Sequence, residues 1–459
     1  MNIYINVEIA ARELASKLFL GYLAAQKGHN VLIADLATFK RLLKRNALPA
    51  GLFHDKAVTP HAGRLSLYKE LKNRGFFITS QDEEHGLLSD SYQSFARGRF
   101  SLEALEYVDK VFCWGLHDFE ALRHIYPQQS EKFQLSGSPR TDFWAGRVEE
   151  VSDVGQFTTG KDFVLFSSNL AINAPELHWE AMARINAMGY FERDPKSRYN
   201  MLSARGEQFL LQARIAPILE SVAESLPDLD VIVRPHPIED ENAWRTVLNK
   251  LPNLKVVKEG AIGPWVQRAR AVIHNGCTTA FEATLAGTPV LTLRPLKDLQ
   301  HEREVPNRLG ITVSSSAEIA DFLNKKCLNE NDHTAGKLAD DLTNLSDRFH
   351  IDSKELAAEK IVGAWDALAG KRYLSHNLGW FASTTTVAFL KARALAAKFR
   401  PKDGLLKHGK PDRRAIEKFR PLRQPEVERQ LKIFEKHHRG KRVFYKVISP
   451  RAVVLKCKT

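Results

Sequence analysis

VIVRPHP, residues 231–237, and AVIHNGCTTAFEATLAGTPVLTLRP, residues 271–295, decide the fold. Each opens on an aliphatic run that reads as a buried strand, and each run ends in polar residues that a strand interior could not hold. The second burst, His274-Asn275-Gly276-Cys277-Thr278-Thr279, leads into a helical pattern containing Phe281, Glu282, Ala283 and Leu285. A strand, a small-residue turn and a helix N-terminus in that order make an anion site, because unpaired backbone N–H groups and the helix dipole point at one spot. The pattern predicts a phosphate-binding pocket for a nucleotide-linked sugar. Gly276, Thr278 and Thr279 would hold phosphate oxygens, Glu282 would accept from ribose hydroxyls, and His274 and Asn275 would contact the base or ribose. An ordinary N-cap at Thr278 with a solvated Glu282 is the plainer reading of the same residues.

In VIVRPHP two prolines bracket His236 just past the strand and hold it rigidly, while Arg234 adds a permanent cation. That suits a histidine bonded to a phosphate or leaving group, converging with Thr278 and Thr279 from a neighbouring strand.

Outward from this region, strands and helices alternate at short intervals. Ile3–Val7 reads as a strand, 8–26 as a helix with Ala11, Leu14, Leu18, Tyr22 and Ala25 on one buried face, and Val31–Ala34 as the next strand. Phe76–Thr79, Val111–Trp114 and Phe133–Leu135 continue the series, and 161–168 opens a second one. The fold class is therefore α/β: two Rossmann-like parallel-sheet lobes facing across a cleft, with a basic C-terminal helical extension. The boundaries fall at 1–150 for an acceptor and catalytic lobe, 151–369 for a nucleotide-sugar lobe, and 370–459 for the extension.

Ligands of such sheets bind beyond the carboxyl ends of strands. Asp82-Glu83-Glu84-His85-Gly86 follows one such end and could supply a general base or nucleophile, or simply a solvated acidic loop. Ser136–Asp142 follows another, with Arg140 placed to neutralise a phosphate or acidic sugar and Asp142 to orient it. Glu8, Arg12 and Glu13 lie in the first strand-to-helix turn, and Glu8 with Arg12 makes an i,i+4 pair.

The chain of 459 residues carries a net charge of +13. From Gly370 onward there are 24 Lys and Arg against 6 Asp and Glu, so residues 1–369 are mildly acidic and the extension strongly basic. Such asymmetry suits contact with an anionic surface. Trp380, Phe381, Val387, Phe389 and Leu390, followed by Lys391, Arg393, Lys398 and Arg400, suit either a bilayer surface or packing on the body. Cys113, Cys277, Cys327 and Cys457 are scattered, with no metal-ligand spacing and no disulfide framework, as in a reducing cytoplasm. No secretory signal and no spanning segment are expected, nor any cofactor or metal. The lack of GxGxxG, P-loop, GxSxG and HExxH motifs weighs against dinucleotide, ATP-hydrolysing, serine-hydrolase and zinc-protease chemistry.

NVEIAARELASKLFLG (6–21), ITSQDEEHG (78–86), VDKVFCWG (108–115), LSGSPRTDF (135–143), VIVRPHP and IHNGCTTAFEATLAGTPV (273–290) together resemble the bacterial surface-carbohydrate biosynthesis glycosyltransferases of GT-B type. The resemblance covers roughly residues 1–310. The RPHP element is also similar to the HP motif of bacterial sialyl-, polysialyl- and polyglycerolphosphate transferases. It implies His236 on the donor phosphate and a catalytic carboxylate among Asp82, Glu83 and Glu84, although His85 interrupts the acidic-acidic-Gly pattern. It further implies a CMP-linked donor such as CMP-Kdo and a lipopolysaccharide or capsule acceptor. The expected enzyme is cytoplasmic and peripheral on the inner membrane surface through 380–459, with no nucleic-acid partner. A CDP-glycerol-type glycerophosphotransferase, a sugar-nucleotide epimerase and a non-catalytic polyanion-binding protein are the rival readings.

Overall fold

The structure is a computed structural model describing residues 1–84, 91–158, 162–170, 175–187, 189–237, 239–324, 332–370, 421–438 and 440–457. Its strands are β1 (Asn2–Asn6), β2 (Asn30–Ala34), β3 (Leu52–Asp55), β4 (Phe77–Gln81), β5 (Lys110–Cys113), β6 (Phe133–Leu135), β7 (Phe163–Ser167), β8 (Asp230–Arg234), β9 (Leu254–Val256), β10 (Ala271–His274), β11 (Val290–Leu293), β12 (Ile311–Val313), β13 (Val443–Ser449) and β14 (Ala452–Cys457). The chain forms two compact units, Met1–Val151 with Leu345–Thr459, and Ser152–Asn344.

The second unit has a six-stranded parallel sheet in the order β12-β11-β10-β7-β8-β9. Counted within the unit this is 3-2-1-4-5-6, the Rossmann order. Its central strands are buried on both faces, which is why FVLFS, DVIVR and AVIH are nearly continuous apolar runs. The first unit orders its parallel strands β2-β1-β3-β4-β5-β6 and continues past β2 with the antiparallel hairpin β14-β13. Both units are thus Rossmann-like α/β layers.

The helix Ala10–Gln26 is the pivot of the first unit. Lys17 through Tyr22 are all buried, so this helix is apolar on more than one stripe and lies inside the unit. On one side it meets the sheet. On the other it meets helices Ala357–Ala369 and Gln424–His437, where Phe19 packs 5.0 Å from Phe434 and Trp365 joins the same core. Burying a side chain such as Phe19 or Phe434 contributes about 1.5–3 kcal/mol.

This arrangement differs from the sequence expectation in three places. Residues 345–369, expected in the second lobe, belong to the first unit because the Ala357–Ala369 helix buries Ile361, Val362 and Trp365 there. The described end of the extension is a helix plus two strands built into the first sheet, with β14 covering the open edge of β2. The stretch 380–400, read as an amphipathic segment, lies outside the described residues. At the start of the first helix Ala11 is exposed and Leu14 half-buried, because Glu13 and Lys17 take the inward positions.

Candidate functional site

In the second unit the strand order reverses between β7 and β10, so the connections leave these two strands toward opposite sides. A crevice at the carboxyl ends of such a pair is the usual ligand position. Ser167, Ser168 and Asn169 end β7, and Asn275 to Thr279 follow β10. The two ends are stitched together. Ser167 Oγ lies 2.8 Å from Thr279 Oγ1 and 3.3 Å from Cys277 Sγ, and Asn169 Nδ2 donates to the Gly276 carbonyl at 3.0 Å. Gly276 adopts a φ of 64°. A Cβ there would stand 3.0 Å from Arg303 Cβ, so glycine satisfies both the left-handed backbone and the close approach. Its N–H donates to Asn307 Oδ1 at 2.7 Å, while Asn275 Nδ2 donates to the Leu293 carbonyl at 2.8 Å.

The helix Thr279–Ala286 starts at this turn and ends at Gly287 in the left-handed region. In its first turn the amides of Ala280 and Phe281 donate to the carbonyls of Cys277 and Thr278 at 3.2 and 3.0 Å, and Thr278 makes no capping bond with its side chain. Thr279 is buried, with its hydroxyl engaged by Ser167 and Cys277, and Glu282 is buried too. His274 is fully buried rather than facing a ligand. Thr292 gives its hydroxyl proton to the Leu309 carbonyl at 2.5 Å and so accepts from His274 Nε2 at 2.9 Å. Burial pushes the imidazole down to about 3, so it is neutral.

Arg234 and His236 follow β8, which β7 separates from β10, so they do not come from the strand next to Thr278. The Arg234 guanidinium donates to the carbonyls of Glu259 and Gly260 and lies 5.2 Å from the Trp265 ring centre. It fastens the loop after β9. His236 is half-buried, and its backbone N–H donates to Glu239 at 3.1 Å. Glu239 also accepts from Trp244 Nε1, so the proline-bracketed turn is anchored from below.

The first unit gathers charge at the ends of β1, β3, β4 and β6. Its order reverses between β1 and β3, where Glu8 pairs with Lys56 and Asn6 donates to Asp55 at 2.8 Å. The three carboxylates after β4 have separate fates. Asp82 is buried and takes both arms of Arg99, at 2.7 and 3.3 Å. Glu83 is buried against Lys17 Nζ at 2.5 Å, with Arg140 at 3.6 Å. Burial works against its charge, but Lys17 and Arg140 hold the carboxyl below its ordinary value. Glu84 alone reaches solvent, with its side chain 42% exposed and 3.0 Å from Arg12. Partial burial opposes ionisation there too, yet Arg12, helped by Lys56 and Arg99, draws it down to about 2. His85 and Gly86 lie outside the described residues.

Glu13 is buried, accepts from the Glu8 amide at 2.9 Å and meets Arg12 at 3.2 Å. Burial first, then the charge of Glu83, push it up to about 7. His54, 3.4 Å from Lys17, is held well below its usual range by burial and that lysine. Arg140 is clamped between Trp144 and Trp114, 4.7 and 5.4 Å from their ring centres, and donates to the Glu83 carbonyl. Asp142 does not orient Arg140. Its oxygens accept from the amides of Ala357 and Ala358 at 3.2 and 3.1 Å, capping that helix.

Lys17, His54, Arg99, Ser167, Asn169, Arg303 and Asn307 are among the polar residues of these clusters that sequence reasoning does not single out. Ser167 and Asn169 do carry the strand-end signal, since KDFVLFSSN ends in a polar burst like the others. Among the described residues no cluster of three or more His, Cys, Asp or Glu could hold a metal ion, and no helix is long and apolar enough to cross a membrane.

No family model matches the chain, and no curated protein matches it. Among solved structures it is similar to the UDP-GlcNAc 2-epimerase from Methanocaldococcus jannaschii, at 13% identity and a TM-score of 0.46 over 80% of this chain and 100% of that one. The Neisseria meningitidis UDP-GlcNAc 2-epimerase bound to UDP-GlcNAc gives 12% and 0.42 over 81% and 99%. Anabaena HepE in complex with UDP and glucose gives 12% and 0.39 over 80% and 100%. The fold stands on the strand order and register of this chain, and at these scores no chemistry carries over from those proteins to this one.

Proposed function

We propose that the protein is a nucleotide-sugar-dependent glycosyltransferase, moving an acidic sugar such as Kdo from a CMP-linked donor onto a surface polysaccharide or lipopolysaccharide. The observation that carries the reading is the coincidence at the end of β10. The small-residue turn, the helix N-terminus and the reversal of strand order all fall between β7 and β10. Backbone amides of Thr278 and Thr279 and the His236 ring would stabilise the departing phosphate, in place of the divalent metal that other transferases use. The Thr279 hydroxyl, already bonded, contributes to the shape of the turn instead.

In the first unit the catalytic role falls to Glu84. Asp82 and Glu83 are sealed into ion pairs, whereas Glu84 is open to an acceptor or an anomeric carbon. A carboxylate drawn down to about 2 stays ionised at neutral pH. It suits nucleophilic or electrostatic work better than strong general-base work. Arg12, partly exposed beside Glu84, supplies positive charge for an acidic sugar, whereas Arg140 is sealed between Trp114 and Trp144.

The test is a thermal-shift panel of CMP-, CDP- and UDP-linked compounds, followed by transfer assays with whichever compound stabilises the protein. His236→Ala and Glu84→Gln are expected to keep the fold and each cut transfer by about a hundredfold or more. Stabilisation by no nucleotide-linked compound, or full transfer by both variants, defeats the reading.

A further inference from the structure

The helix Ser197–Ser225 changes character along its length. Its second half is core, with Leu211, Ile215, Leu219 and Val222 packed against the second unit's sheet. Its first half turns large apolar side chains outward: Tyr199, Leu202, Phe209 and Leu210 are 65%, 40%, 50% and 59% exposed. At helical spacing these four, with exposed Gly206 and Ala213, fall on one stripe roughly 100° wide. Single exposed apolar residues are common, but a contiguous stripe of this kind marks a surface that meets something.

The charges beside the stripe indicate what that is. Arg198 and Arg214 are exposed on its two flanks, and the Arg198 guanidinium lies 5.3 Å from the Tyr199 ring centre. Glu207 is the one carboxylate between 197 and 214. It is half-buried and turned inward, its oxygens accepting from the amides of Gln300 and His301 at 2.8 and 2.9 Å. Over residues 197–214 the outward face is therefore aromatic and aliphatic along its centre and cationic at its margins, with exposed Glu224 in line with it further along the helix.

We propose that this stripe docks the protein on a bilayer containing anionic lipid. Tyr199, Leu202, Phe209 and Leu210 enter the headgroup boundary, while the flanking arginines reach the lipid phosphates. A second copy of the chain fits less well, since residues 197–214 offer no exposed carboxylate to the flanking arginines of the other copy. The proposal does not depend on which ligand the second unit takes, and it puts the membrane contact on a described helix rather than on 380–459.

The experiment is co-sedimentation of the full chain with vesicles of phosphatidylcholine alone and of an equal mixture with phosphatidylglycerol. The wild-type chain is expected to partition onto the mixed vesicles. Phe209→Ser with Leu210→Ser should weaken that partition about tenfold or more with the melting temperature unchanged, since both side chains are solvent-facing. Arg198→Gln with Arg214→Gln should reduce the preference for the anionic mixture by about tenfold. Absence of wild-type binding to mixed vesicles overturns the proposal. So does unchanged binding in the double serine variant, or a dimer in sedimentation velocity that the serine substitutions dissolve.

Discussion

Lys17 is the residue on which the first unit's charge network turns. It is 1% exposed and shares a 2.5 Å contact with Glu83 while standing beside neutral His54. An ion pair sealed this well is costly to break from one side, because the partner is left charged and buried. Lys17→Met is expected to destabilise the unit by about 3–5 kcal/mol, measured by urea unfolding, with Lys17→Met/Glu83→Leu recovering much of the loss. The sequence shows Glu8, Arg12 and Glu13 gathered at the first turn, since they directly follow a strand. It does not show Lys17. A lysine four residues after a glutamate reads as a surface pair, whereas here its ammonium is drawn inward by Glu83 and His54, from strand ends distant in sequence. Asp142 illustrates the opposite error. It stands in a turn that looks ready for a ligand, yet its partners are two amides more than two hundred residues away.

At the scale of elements, the long apolar strands of the second unit are legible and its short edge strand is not. Apolar runs with abrupt polar ends put β8 and β10 where they stand, whereas β12, three residues long and partly exposed, carries no such run. β3 is less legible because only Leu52 and Phe53 are apolar. Its His54 and Asp55 are fully buried by bonding to Thr79, Arg64 and Tyr68 instead. The C-terminal helix and hairpin are illegible for another reason. Their composition is so basic that charge masks the apolar face of Val427, Leu431 and Phe434. If these elements are integral to the first unit, Phe434→Ala costs about 3–5 kcal/mol in urea unfolding. A loss below about 0.5 kcal/mol would mean the helix is a loose appendage.

At the scale of the whole molecule, buried carboxyls set a pH dependence. Burial, relieved in part by the amides of Gly115 and Trp114, pushes Asp118 up to about 7 from an ordinary value of 3.8. Its folded form binds a proton more tightly than its unfolded form. The resulting stability is complete below about pH 3.8 and is lost as pH rises through about 7. Glu13 acts in the same sense, from 4.5 to about 7. Melting of the first unit is therefore expected to fall between mildly acidic and neutral pH. Asp118→Asn should melt lower throughout, having lost one amide acceptor, but with a flatter profile. An unchanged slope would refute the assignment.

The β14 strand has a consequence in time. Arg451, in the turn before it, is bonded to Asp35 at the end of β2, 416 residues earlier in the chain. A ribosome therefore releases β2 with one side of its ladder open, then makes the entire second unit before the strand that closes it. The first sheet must wait in an unfinished state while its neighbour is made, and it is sealed by residues translated more than four hundred positions after β2.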